Sequence, residues 1–267
     1  MSGQKTSIKK TNYRWAIVAM LFFATTVNYF DRFLMGILAP LLETEIGWSE
    51  QQYGYIIAAF QFAYACGTLL MGYFIDRVGT RVGFAIAVTL WSLASMLHAA
   101  ARSWVGFALA RIGLGISEAG NFPAAIKTVA EWFPKKERAF ATGLFNGGSN
   151  VGAILAPLLI PLIISVFGSW KWVFILSGFL GFFWLIFWLI FYRKPRESRF
   201  TNKAEIESGG GENQPLSPLR LSLPLFVDYL RDNPQQGNAQ RLHHVRVLDR
   251  SVELLNQKHS GQAAEQP

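Results

Sequence analysis

The chain has 267 residues, 51% of them hydrophobic and only 16% charged, against roughly 25% charged in an ordinary soluble domain. Its formal net charge of +8 arises before residue 201, where 18 of the 25 Lys+Arg but only 9 of the 17 Asp+Glu lie. These basic residues edge long apolar runs instead of interleaving with aromatics in one patch, which excludes a nucleic-acid partner; the single cysteine, Cys66, excludes an intrachain disulfide and a cysteine-based metal cluster, and within an apolar run it reads as a small buried thiol.

A bilayer crossing takes roughly 20 apolar residues. After a short N-terminal tail, 1–14, the first candidate span runs from 15 to about 40 and is apolar except for Asp31 and Arg32. Residues 51–75 and 82–101 carry no charge, and 104 to about 126 carries only Arg111 and Glu118. The uncharged run 139–170 suffices for a span and a short exit loop, and 172–192 completes six. Barrel strands would alternate over about 10 residues, whereas these runs are continuous, so the expected class is an all-α, polytopic membrane protein. The first span lacks a signal-peptide cleavage pattern and reads as a retained helix.

Lys and Arg concentrate in cytoplasmic loops. Lys5, Lys9, Lys10, Arg14, Arg77, Arg81, Lys135, Lys136, Arg138, Arg193, Lys194, Arg196 and Arg199 fall on one side, against Arg102 and Lys171 on the other. This predicts a cytoplasmic N-terminus in a cell (inner) membrane, with Glu43, Glu45 and Glu50 outside. After Phe200 the composition shifts to a Gly/Ser/Pro/Gln-rich stretch beginning at Ser208. Residues 193–267 are expected to form a disordered cytoplasmic tail, with one amphipathic stripe through Leu242, Val245, Leu248, Val252 and Leu255.

Three segments carry chemistry. Between the second and third spans stands Gly72-Tyr-Phe-Ile-Asp76-Arg77-Val-Gly79-Thr-Arg81, where glycines permit a tight turn and Asp76 can meet a helix end or a neighbouring arginine. In the first span Thr25, Asn28, Asp31, Arg32 and Met35 share one helical face. In the fourth, Arg111 and Glu118 lie two turns, about 10.5 Å, apart on one face, too far to pair side by side. Counted inward from Trp104, Glu118 lies just past the midplane of a roughly 30 Å core. Charges there are costly and usually functional, and desolvation favours the neutral form of a carboxylate, so Glu118 is a candidate proton carrier. His98 reads as structural, and Lys127 as a snorkelling side chain.

The 72–81 loop is similar to the signature of the major facilitator superfamily. With Asn28-Tyr-Phe-Asp31-Arg32, with Arg111-Ile-Gly-Leu-Gly-Ile-Ser-Glu118-Ala-Gly-Asn121-Phe-Pro123, and with Glu131-Trp-Phe-Pro134-Lys-Lys-Glu137-Arg138 and Asn146-Gly-Gly-Ser149-Asn150-Val-Gly152, residues 10 to about 207 resemble its anion:cation symporters, particularly hexuronate and sugar-acid transporters. The resemblance implies a six-helix bundle, residues 15–192, equivalent to the N-terminal half of a twelve-span carrier that moves an organic anion by proton symport. It implies no catalysis, no metal and no cofactor beyond the coupling proton. Arg32 resembles a substrate-carboxylate ligand with Tyr29 beside it, Asp31 with Arg111 a charge pair that responds to protonation, Glu118 the coupling acid, and Gly72, Asp76, Arg77, Gly79 and Arg81 a conformational latch. Gln61 and Tyr64 in the second span and Asn146, Ser149 and Asn150 in the fifth either meet a sugar acid's hydroxyls or join helices; Gly148, Gly152 and Ala156, spaced by four, point equally to close packing. Since the family continues into a second bundle where this chain turns Gly-rich, residues after about 208 are expected to be out of frame. The alternative to a working carrier is a non-transporting fragment, or a half that works only with a second six-helix bundle.

Overall fold

In the computed structural model the chain divides into two units, Met1–Asn213 and Gln214–Pro267. The structure describes residues 12–195, all in the first unit. The amphipathic stripe of the tail and the expected break near 208 lie outside the described residues.

Seven helices follow one another: α1 (Tyr13–Ile46), α2 (Glu50–Val78), α3 (Thr80–His98), α4 (Trp104–Glu118), α5 (Asn121–Trp132), α6 (Lys135–Phe167) and α7 (Lys171–Phe191). Local chemistry sets their ends. Ser49 accepts from the Gln52 amide while the Gln52 side chain accepts from the Ser49 amide, a reciprocal cap that starts α2. Ser103 caps α4 by accepting from Gly106 N–H at 3.2 Å. Gly79, at φ 91, turns α2 directly into α3 in a region that side-chain-bearing residues avoid.

Six spans were expected, and six are observed, but the fourth is two helices. Pro123 has no N–H to offer the Ala119 carbonyl, so the regular ladder cannot run through this point. The bonds tighten accordingly, with Gly120 N–H donating to Ser117 O instead of continuing the i→i−4 pattern. Close packing holds the break in place. A Cβ on Gly115 would meet the Phe60 carbonyl at 2.7 Å, and one on Gly120 would meet Ala87 Cβ at 2.9 Å. The other five spans are single helices long and apolar enough to cross a membrane.

α1 lies along α6, α2 along α4, and α3 along α7 and α4. One buried cluster, with Phe84, Trp91, Trp132, Phe133, Phe145, Trp184 and Trp188, fills the end that carries the basic loops. A second, with Phe30, Leu34, Trp48, Phe107, Trp170 and Phe174, fills the end that carries Glu43 and Glu45. The outward faces stay apolar, with Phe62 74% and Leu69 80% exposed, as lipid contact requires and water would not tolerate over so wide an area. The chain is a multi-pass membrane protein. Cys66 departs from expectation: it lies on this exposed face of α2, one turn from Phe62 and Leu69, and is exposed, not buried.

Candidate functional site

Halfway along the bundle α1 and α4 bring four charges together. Asp31, Arg111 and Glu118 are buried, and the Arg32 side chain is 20% exposed. Arg32 Nε donates to Glu118 Oε2 at 3.2 Å. Its guanidinium lies over the rings of Tyr64 at 4.1 Å, Tyr29 at 4.9 Å and Phe60 at 5.8 Å, so three aromatic faces hold it in place. The expected neighbourhood of Tyr29, Arg32 and Tyr64 is therefore assembled, with Phe60 as an additional member that its apolar character hid.

The partner of Glu118 comes from α1, not from its own helix, because at about 3.6 residues per turn Arg111 lies two turns away. Asn28 Nδ2 donates to the Glu118 carbonyl at 3.5 Å and Asn121 Nδ2 to Thr25 Oγ1 at 3.3 Å. Side chains thus tie α1 to polar groups on both sides of the α4–α5 break. The expected Asp31–Arg111 pair is different in detail. Among the described residues the two make no ion pair within 4.0 Å, although their charges interact. Asp31 Oδ1 instead accepts from the hydroxyls of Ser95 at 3.3 Å and of Ser177. Arg111 lies against the ring of Phe60 at 5.3 Å. Ser95 and Ser177 escaped the sequence reading because a lone serine in an apolar helix is ordinary.

Gln61 and Asn150 are exposed, and Ser149 is half-buried with its hydroxyl bonded to Asn146 O at 2.7 Å. None of these three hydrogen-bonds the charged group. Gly148 and Gly152 account for that stretch of α6: a Cβ on either would run into the α1 backbone at Phe22 or Thr26.

At the basic end Asp76 pairs with Lys127 Nζ at 2.8 Å, not with a helix end or a neighbouring arginine. Lys127 also donates to Ile75 O at 3.1 Å, so it joins α5 to α2 instead of reaching for the interface. Arg77 lies over the Tyr73 ring, Arg81 donates to Leu189 O, and Trp188 Nε1 donates to Arg81 O at 3.0 Å. A Cβ on Gly72 would meet Pro123 Cβ at 4.0 Å, and Gly79 forms the turn. Glu131 accepts from Thr80 and Tyr192, Glu137 pairs with Arg14 at 3.1 Å, and Arg138 donates to Phe133 O and Ala130 O at the end of α5.

Residues 21–236 match the Major Facilitator Superfamily. This chain belongs to that superfamily. Among curated relatives in it, the hexuronate transporter of Escherichia coli (strain K12) is 42% identical over 192 residues, 72% of this chain and 44% of that one. The galacturonate transporter of Dickeya chrysanthemi is 39% identical over 237 residues, 88% and 63%. The D-galactonate transporter of Escherichia coli O6:H1 is 36% identical over 202 residues, 74% and 46%. The chain spans about half the length of the curated relatives it matches. In three dimensions it resembles a bacterial homologue of the human lysosomal transporter Spinster, inward-facing, with TM-score 0.62 and 24% identity over 70% of this chain and 44% of that one. The inward-open xylose transporter XylE from E. coli gives TM-score 0.61 and 15% identity over 85% and 57%. At these identities the likeness concerns the fold, which is the N-terminal six-helix bundle of the superfamily.

Proposed function

We propose that this chain forms one wall of a carrier for a sugar acid, a hexuronate or a close relative, and that proton binding at Glu118 drives its uptake across the inner membrane with the N-terminus in the cytoplasm. The observation that carries the proposal is the Arg32–Glu118 contact inside the ring of Tyr29, Phe60 and Tyr64. A guanidinium keeps its charge in a low-dielectric site and grips a carboxylate through two parallel hydrogen bonds. Glu118 and a substrate carboxylate therefore compete for the same cation. A proton on Glu118 loosens its hold, Arg32 turns its fork to the anion, and each binding event favours the other, which is the reciprocity that cotransport requires. Release of the proton restores the internal pair and expels the anion. Opposite charges at Asp31 and Arg111 keep the cluster near neutrality throughout.

Arg32 is partly exposed, and Gln61, one turn from Tyr64, is exposed. In this reading the opposite wall, which would close over them, comes from a second six-helix bundle. The relatives' names, all sugar-acid transporters, favour the substrate class.

The test is Glu118→Gln, which keeps shape and fixes the neutral form, in a transport-competent assembly expressed in cells lacking their own hexuronate permease. Exchange of labelled hexuronate across the membrane should persist, while accumulation driven by a pH gradient should be lost. Accumulation at the unmodified level would remove Glu118 from coupling; loss of exchange as well would assign it to binding or folding.

A further inference from the structure

One buried titratable group has no part in that cycle. His98 is fully buried near the end of α3. Its Nδ1 lies 2.7 Å from the Ala94 carbonyl oxygen, which can only accept, so the ring proton is on Nδ1 and Nε2 presents a lone pair. The ring stacks on Phe174 at 4.9 Å and meets Phe107 edge-on at 5.9 Å.

Three helices build two successive layers here. α3 contributes His98 and then Ser95, α7 contributes Phe174 and then Ser177, and α4 contributes Phe107 and then Arg111, each pair three or four residues apart and so on one face. The first layer is an aromatic collar around the imidazole. The second surrounds Asp31, whose Oδ1 takes the two serine hydroxyls. Both layers leave polar atoms buried and unpartnered: in the first His98 Nε2, an acceptor, and in the second Asp31 Oδ2, an acceptor, with Arg111 Nε and Nη2, both donors. Arg111 interacts electrostatically with Asp31 and with His98.

We propose that one bound water joins these three side chains, accepting from the Arg111 guanidinium and donating its two hydrogens to Asp31 Oδ2 and His98 Nε2, which makes His98 a positioning residue for the Asp31–Arg111 pair. Three bonds are what a buried water ordinarily makes. Both hydrogens of the water find acceptors only with a neutral imidazole protonated at Nδ1, which is the tautomer that Ala94 selects. Arg111 thus acts on Asp31 through a removable molecule, and the imidazole sets that molecule's orientation.

Two measurements test this. Nitrogen-15 NMR of the full chain in lipid nanodiscs, with histidine labelled and the His98 signals identified by their loss in His98→Gln, should show an Nε2 resonance displaced to that of a hydrogen-bonded acceptor. It should return toward the free-acceptor position in Arg111→Met. A free-acceptor Nε2 in the unmodified chain would overturn the proposal, whether or not the protein moves an anion. In a transport-competent assembly, His98→Phe keeps the aromatic stack and removes the acceptor, so kcat/KM should fall about tenfold, the size expected from one lost hydrogen bond. His98→Gln, which presents an amide oxygen, should recover most of that loss. Equal losses in the two variants would reduce His98 to packing and reject the positioning role.

Discussion

Both the middle of the bundle and its basic end are crowded with charge, but the two regions use it differently. At the basic end each carboxylate meets a donor: Asp76 meets Lys127, Glu137 meets Arg14, and Glu131 meets Thr80 and Tyr192. Those contacts join α1 to α6, α2 to α5, and α5 to both α3 and the end of α7. In the middle Asp31, Arg32, Arg111 and Glu118 each keep a buried polar atom with no hydrogen-bond partner, as Arg14, Arg81 and Glu137 do at the basic end, but the side chains of Asp76 and Glu137 are 34% and 37% exposed whereas Asp31 and Glu118 are fully buried. A charged pair that borders water is screened and completed by solvent, whereas an incomplete one deep in low dielectric is expensive and persists where something else completes it. The basic end is thus the fastening of the bundle, and the middle is the part that the proposed carrier would use for proton, anion and water.

Breaking the central pair should have the largest effect. Arg32→Met leaves Glu118 buried and unmatched, and stability in mixed-micelle unfolding should drop by about 3–5 kcal/mol. Arg32→Met combined with Glu118→Leu should recover most of it. A double variant no more stable than the single one would show that the cost lies in packing and not in the stranded charge.

The fastening should respond in stability without a specific effect on substrate. Tyr192→Phe removes a donor from Glu131 and should cost about 1.5–3 kcal/mol, the range for hydrogen bonds to a charged group. Hexuronate KM, measured alongside in a transport-competent assembly, should stay unchanged; a shifted KM would erase the division between the two regions.

The α1–α6 seam positions the central residues of α1, and it should be sensitive at Gly148 but not at its neighbour. In Gly148→Ala the new methyl meets Phe22 O and Thr26, for a loss of about 1–3 kcal/mol. Gly147→Ala finds only Phe22 Cε2 at 3.7 Å and should be neutral or stabilising by up to about 1 kcal/mol through helix propensity. Thermal melting of both variants in the same detergent decides between them.

The smallest effect belongs to the Asp76–Lys127 pair, whose side chains are 34% and 22% exposed. Its coupling in a double-mutant cycle of Asp76→Asn and Lys127→Met should be about 0.2–1 kcal/mol and weaken in high salt. A value several times larger would make this pair a strong member of the fastening and not its weakest contact.

The charges at Asp31, Arg32, Arg111 and Glu118 were legible because an ionised side chain inside an apolar run stands out whatever it touches. Their pairing was not. Helical spacing showed that Arg111 and Glu118 cannot meet, but nothing in the chain order says that Glu118 turns to Arg32, 86 positions earlier, or that Asp31 turns to two serines. The polar residues of α2 and α6 were legible as chemistry but not as contacts. Gln61, Ser149 and Asn150 have the right chemistry for a sugar acid, but none of them hydrogen-bonds the charged group, and the glycines beside Ser149 serve close approach to α1.

Hydrophobic length, charge placement and the basic loops are properties of single segments, so the sequence alone determined six crossings, an all-helical membrane class and the family. Tertiary packing decided which polar atoms meet, that Cys66 faces outward, and that the fourth span breaks after Glu118. Pro123 made that break possible in the sequence, since it removes one backbone donor. Only the approach of α1, α2 and α3 stabilised it, because amides from Asn28 and Asn121 and the close contacts at Gly115 and Gly120 exist only once the helices are side by side.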